Sequence, residues 1–286
     1  MTGVALVLVL SSAVLHATWN YYAKRVGGGA GFIWLITVIQ AVIYAPLAFL
    51  VIAREQPAIG LPQLVAIVGS AAIHIAYFLL LSRGYRTGDL SLVYPLARGT
   101  GPMLSTAAAI LLLGERPTPL ALGGAVLIGL GVFVLTGDPR KFRQSGAGQA
   151  VIYALLTGLV IAGYTLWDKR AVSILLIPPL VYDWSNGFVR GFLLTPYALT
   201  HRAEVARHWR EHRTAALMVG ILSPLSYILV LTALTFSPVS YVAPTREISI
   251  LLGAALGARL LSEGDVVRRL AAAAVMMTGV VFLALG

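Results

Sequence analysis

The chain has 286 residues, 58% of them hydrophobic and only 11% charged, with no cysteine and a formal net charge of +10. A soluble domain carries about a quarter charged residues, so a water-soluble globule is excluded, and the missing thiols exclude disulfides, zinc thiolates and iron–sulfur clusters. The positive excess fits the cytoplasmic loops of a membrane protein; no nucleic-acid-binding motif competes with that reading, and nothing in the pattern asks for a metal or a cofactor.

Apolar runs of about 20 residues, the length that crosses the hydrocarbon, recur along the chain and predict ten spans. The first, 2–23, lacks the basic start and small-residue cleavage site of a signal peptide and carries His16 and Trp19. Spans 31–53 and 61–82 follow, the latter with His74 and Tyr77. Span 90–113 contains "YPLARGTGP" (94–102), which sets Tyr94, Pro95, Arg98 and Pro102 among glycines inside an otherwise apolar run. Span 118–136 is rich in glycine (Gly123, Gly124, Gly129, Gly131), read as close helix packing. In the second part come 148–168 with Tyr164 and Trp167, 178–200 with Asp183 and Arg190, and 214–236 with Tyr227. The last two are 240–261, with Pro244, Arg246 and the pair Gly253–Gly257, and 266–285. The basic stretch "HRAEVARHWREHR" (201–213) reads as a loop touching anionic head groups. Trp34 and Trp209 read as interfacial.

The loops give the orientation. Those after spans 1, 3, 5, 7 and 9 hold Lys24, Arg25, Arg83, Arg86, Arg140, Lys141, Arg143, Arg202, Arg207, Arg210, Arg213, Arg259, Arg268 and Arg269. The other side holds only Arg54, Arg116, Lys169 and Arg170. The imbalance places the odd loops in the cytoplasm and both termini in the periplasm. The remaining cations, Arg98, Arg190 and Arg246, lie within spans, where an unpaired charge costs at least ~2.5–3.5 kcal/mol and normally faces a wet cavity or a partner.

A shift of 148 residues superposes Trp19 on Trp167, Asn20 on Asp168, Arg98 on Arg246, Glu115 on Glu263 and Gly131 on Gly279. A local shift of 145 also superposes Lys24-Arg25 on Lys169-Arg170. Two five-helix repeats are expected, 1–138 and 148–286, joined by a cytoplasmic linker at 139–147. Five is odd, so the second repeat enters the membrane from the opposite side, as in many secondary transporters whose substrate site lies near the midplane. Arg98 and Arg246 would then flank the midplane, with Pro95, Pro102 and Pro244 breaking the helices beside them, since proline has no N–H to donate.

The stretches "HATWNYYAKR" (16–25), "YPLARGTGPMLSTAAAILLLGERPT" (94–118) and "GGAVLIGLGVFVL" (123–135) resemble the drug/metabolite transporter superfamily, specifically its ten-helix EamA-type exporters. A weaker second copy is "APTREISILLGAALGARLLSE" (243–263) with "MMTGVVFLAL" (276–285). The resemblance implies a multi-pass protein of the bacterial inner membrane, monomer or weak homodimer, that exports small metabolites, with aromatic or other amino acids the nearest substrate class. It also implies that Trp19, Tyr77, Tyr94, Tyr164, Trp167 and Tyr227 line the cavity. Cation exporters of the superfamily carry an acid inside helix 1, and this helix has none, which favours an anionic or zwitterionic solute.

Each candidate has a plainer role. Arg98 and Arg246 either bind a substrate carboxylate, which guanidinium pairs with well, or make a structural pair with an acid such as Glu247. Arg190 shares a helix face with Asp183, and a structural ion pair or a water-bridged link between them is expected. His16 and His74 either carry a transport proton or pack with a hydrogen bond. The aromatics either stack on a substrate or sit at the interface. Without a P-loop, ATP does not drive transport directly, which leaves proton coupling, exchange and facilitated efflux. A phosphorylated or lipid-linked sugar is the alternative cargo and an open channel the alternative device. An intramembrane enzyme lacks support, because HExxH, GxSxG and aspartate-rich motifs are absent.

The charge bias makes one prediction directly. A reporter fused after Gly286 should be active only in the periplasm; activity in the cytoplasm would reverse the orientation.

Overall fold

The computed structural model describes residues 1–24, 26, 29–87, 90–136, 148–252 and 266–286. These form ten helices: α1 (Gly3–Lys24), α2 (Ala30–Glu55), α3 (Leu61–Thr87), α4 (Leu90–Leu113), α5 (Pro119–Thr136), α6 (Gly148–Ser173), α7 (Pro179–Thr200), α8 (Arg202–Phe236), α9 (Val239–Arg246) and α10 (Val266–Leu285). The 139–147 linker, Gly253, Gly257 and Glu263 lie outside the described residues, as do the side chains of Tyr94 and Pro95. Six helices, α1, α2, α3, α4, α6 and α8, contain stretches long and apolar enough to cross a bilayer, and α5 and α10 contain shorter apolar stretches. The chain is an all-helical, multi-pass membrane protein.

Each expected span has a helix at its place, and two differences matter. The basic stretch read as a loop is helical and runs into α8, interrupted only by His212 at φ −130°. It has no glycine or proline and is rich in Ala, Arg and Glu, which favour helix. It is anchored by Glu204, which accepts the Tyr197 hydroxyl at 3.0 Å and pairs with His208 at 3.7 Å. The second difference concerns the prolines. Helix α4 runs through Pro102 without the expected break, and Pro46, Pro196 and Pro224 also lie inside helices. One missing N–H frees one carbonyl, which neighbouring groups in a bundle can take up. Helix α9 is interrupted, at Glu247, three residues beyond Pro244, and the chain is helical again at 248–252.

The packing follows the logic of a bilayer. Lipid tails are as apolar as leucine, so association relies on close contact between small residues. The buried side chains are rich in alanine, whereas Val7, Phe49, Leu111, Leu112 and Phe192 are exposed on the outside. Helix α1 packs on α8 and α6 on α3; α4 packs on α6 and α9 on α1; α2 packs on α7, and α5 on α10. Exchanging the first five helices with the last five maps each of these pairs onto another or onto itself, so the halves interlock.

The α5–α10 crossing shows the close contact. A Cβ on Gly124 would lie 2.5 Å from the Gly279 carbonyl oxygen, and one on Gly279 would lie 2.6 Å from that of Gly124. Gly131 faces Met276 as Gly279 faces Ile128, two contacts related by the 148-residue shift. Overpacking such a crossing costs about 1–3 kcal/mol. Gly124→Val should therefore lower the unfolding temperature in detergent, while Gly123→Ala, whose new carbon would sit 3.8 Å from Phe282, should leave it unchanged.

Candidate functional site

A buried carboxylate ties four helices together. Asp168 of α6 is fully buried. Its Oδ1 accepts hydrogen bonds from the Ser70 hydroxyl of α3 at 2.7 Å and the Tyr182 hydroxyl of α7 at 2.6 Å, and its Oδ2 accepts the Tyr227 hydroxyl of α8. The Asn186 amide donates to Ser70 Oγ at 2.6 Å, and His74 Nδ1 lies 2.9 Å from the Ser70 carbonyl oxygen. A charge at membrane depth persists only when donors are supplied in this way. Asn20, the repeat partner of Asp168, instead donates to the His16 carbonyl of its own helix at 2.7 Å.

The second acid of the interior, Asp183, is also occupied. Gln40 of α2 donates to its Oδ2 at 2.8 Å, fitting against Gly187, where any side chain would collide with it. The expected Asp183–Arg190 pair is therefore not formed. Seven residues of helix separate the two by about 10.5 Å along the axis, and Gln40 has taken the carboxylate. Among the described residues the ion pairs are His208–Glu204 and Arg98–Glu247, the latter with Nε and Oε2 3.1 Å apart and both side chains buried. Arg98 thus faces an acid, the structural one of its two expected roles. Moved by 148 residues, Glu247 falls on Gly99, so Arg246 has no acid in the equivalent place.

Around this polar centre the rings converge. His74 stacks on Tyr164 with centroids 4.5 Å apart; Tyr227 meets His74 edge-on at 5.8 Å and Tyr164 at 6.4 Å; Tyr77 meets Tyr164 at 6.1 Å. The Arg246 guanidinium lies 5.6 Å from the Tyr227 ring centroid. Tyr164 is buried, while His74, Tyr77, Tyr227, Arg190 and Arg246 are half-buried. Such a wall offers aromatic faces to a ring or an ammonium and guanidinium N–H groups to an oxyanion.

With this interior in place, the match to known proteins is informative. Residues 3–137 match the model of the EamA-like transporter family. That stretch carries α1 to α5 and the first four quoted site residues, His16, Trp19, His74 and Tyr77. A solved crystal structure superposes on 100% of this chain and 98% of its own with a TM-score of 0.79 at 15% identity, a likeness of fold. No curated protein matches.

The EamA-like half places its remaining candidates differently. His16 meets Trp19 edge-on at 4.8 Å, and Trp19 packs against the Phe32–Leu35–Ile39 cluster. Pro102 and Pro244 line an apolar cavity of about 170 Å³ between α4, α5 and α9 that also touches Glu247. In the other half, Trp167 lies on Gly69 and donates its indole N–H to the Ala66 carbonyl at 2.8 Å; among the described residues it makes no ring contact with the His74 cluster. Trp34 donates to Thr195 at 3.1 Å, a link between α2 and α7, while Trp209 is exposed.

The EamA-like half also reaches across to its neighbour. Glu115, just past α4, accepts the N–H groups of Val239 at 2.7 Å and Ser240 at 2.9 Å, capping the positive end of α9. Lys169 of α6 donates to the carbonyls of Leu234 at 2.6 Å and Ser237 at 3.0 Å, at the negative end of α8. The α8–α9 turn is held from both sides.

The Asp168 centre is open to test. Tyr182→Phe removes one of its donors from a buried carboxylate and should destabilise the protein by about 1–3 kcal/mol, read as a lower unfolding temperature in detergent. An unchanged temperature would mean that the hydroxyl is not holding the carboxylate.

Proposed function

We propose that the chain is a secondary exporter of small amino-acid-like metabolites, aromatic ones favoured, in the bacterial inner membrane with both termini periplasmic. The observation that carries this reading is the ring group of His74, Tyr77, Tyr164 and Tyr227 beside Arg246, which has no ion-pair partner among the described residues. A planar carboxylate pairs with the guanidinium while an aromatic side chain stacks in the ring cluster. His16 and Trp19 form the adjoining wall. Arg98 is tied to Glu247 and positions α4 against α9.

Transport proceeds by alternating access of two oppositely inserted five-helix units about this site. Three observations support that arrangement: the reciprocal packing of the halves, the glycine contacts that recur after 148 residues, and the charge bias of the loops. Glu115 and Lys169 close the side that carries the even loops, and their caps must part when that side opens.

Counterflow in proteoliposomes tests the reading. Labelled phenylalanine should exchange saturably, and Arg246→Ala should abolish that exchange in a protein that still unfolds cooperatively. Saturable flux of quaternary amines alone, or flux unaffected by Arg246→Ala, would contradict it.

A further inference from the structure

The mechanism above leaves Arg190 without a task, and the structure leaves it without a partner. Helix α7 carries Asp183, Asn186 and Arg190 at positions i, i+3 and i+7, one inward face. Asp183 is bonded to Gln40 and Asn186 to Ser70. Arg190 makes no hydrogen bond or ion pair with any described residue, and its Nε is buried with no acceptor. Asp183 and Asp168 are buried, at 4% and 0% exposure, and already hold donors. Arg190 and Arg246, by contrast, are half-buried; Arg190 lies one helical turn beyond Asn186, whose amide reaches Ser70 beside His74, and the Arg246 guanidinium lies 5.6 Å from the Tyr227 ring centroid. Among the described residues the accessible charge beside the ring cluster is therefore cationic on two sides, and no accessible carboxylate faces it.

We propose that Arg190 and Arg246 form a two-guanidinium subsite that grips the anionic end of the solute, so that recognition runs through the oxyanion and does not require an ammonium group. The inference rests on the transporter reading and sharpens its substrate class to organic anions with an apolar or aromatic body. If α7 and α9 both start from the side of the even loops, Arg246 lies seven residues and Arg190 eleven residues into their helices. The difference in depth is about 6 Å, a gap that an oxyanion with acceptors on several sides can bridge. Guanidinium offers five N–H donors and no acceptor, so the pair suits a doubly charged tetrahedral group better than a single carboxylate.

Matched probes test the proposal on the full-length protein in detergent, by isothermal titration in mildly alkaline buffer. Benzylphosphonate should bind more tightly than 3-phenylpropanoate, and 2-phenylethylammonium should not bind. Arg190→Gln should weaken both anions at least tenfold, and Arg190→Lys, which keeps the charge but loses the planar fork, should fall between. The unfolding temperature of each variant shows that it is folded. Equal anion affinities in Arg190→Gln and wild type, or binding of the ammonium probe, would overturn the subsite. Phenylalanine counterflow at the wild-type rate in Arg190→Gln would remove this inference and leave the transporter reading standing. Absence of flux for every probe in the wild type would remove both.

Discussion

The interior of this protein depends on how one carboxylate is kept at membrane depth. Asp168 is fully buried, and the chain supplies it with hydroxyls from three other helices, Ser70, Tyr182 and Tyr227. Those three bonds fix α3, α7 and α8 relative to α6. They also fix the ring cluster, because Tyr227 uses its hydroxyl on Asp168 and its face on Arg246, and Ser70 orients His74 through its carbonyl. The ring cluster is thus held in place by hydrogen bonds from behind it, as a preorganised site requires.

Scaffold and chemistry follow different symmetries. The helix pairings and the α5–α10 glycine contacts recur when the halves are exchanged. The charges do not. Arg98 has Glu247, but the position equivalent to Glu247 is Gly99, and Arg246 is left facing a tyrosine ring. Asp168 has Asn20 as its counterpart, and His16 has Tyr164. The packing is duplicated between the halves, whereas the polar residues of the interior have diverged.

The architecture was largely legible in the sequence because its determinants are composition and period: apolar runs of spanning length, glycine stripes, and cations placed in alternate loops. The site was legible where a residue is rare in such helices. His74, Tyr77, Tyr164, Tyr227 and Arg246 stood out and do come together. What the sequence hid are contacts between helices distant in the chain. Ser70 and Tyr182 are ordinary residues until Asp168 lies between them. Gln40 gave no sign that it would take the Asp183 carboxylate from Arg190, since that depends on Gly187 letting α2 approach. The family resemblance set Trp167 among the cavity residues, yet its indole N–H is committed to the Ala66 carbonyl. Glu115 drew notice only as a repeated position; its role at the head of α9 appears once α4 and α9 are neighbours.

The central claim is that the ring cluster faces a water-filled cleft while the opposite faces of the same helices meet lipid. The chain contains no cysteine, so single cysteines report without background. The most direct measurement compares Tyr77→Cys with Leu79→Cys, the latter at a position 54% exposed on the outer surface of α3, in membrane vesicles treated with a charged, membrane-impermeant thiol reagent. The account predicts rapid modification of the Tyr77→Cys protein and none of the Leu79→Cys protein. The reverse pattern, with the Leu79→Cys protein modified from water and the Tyr77→Cys protein reached only by a lipid-soluble reagent, would contradict it.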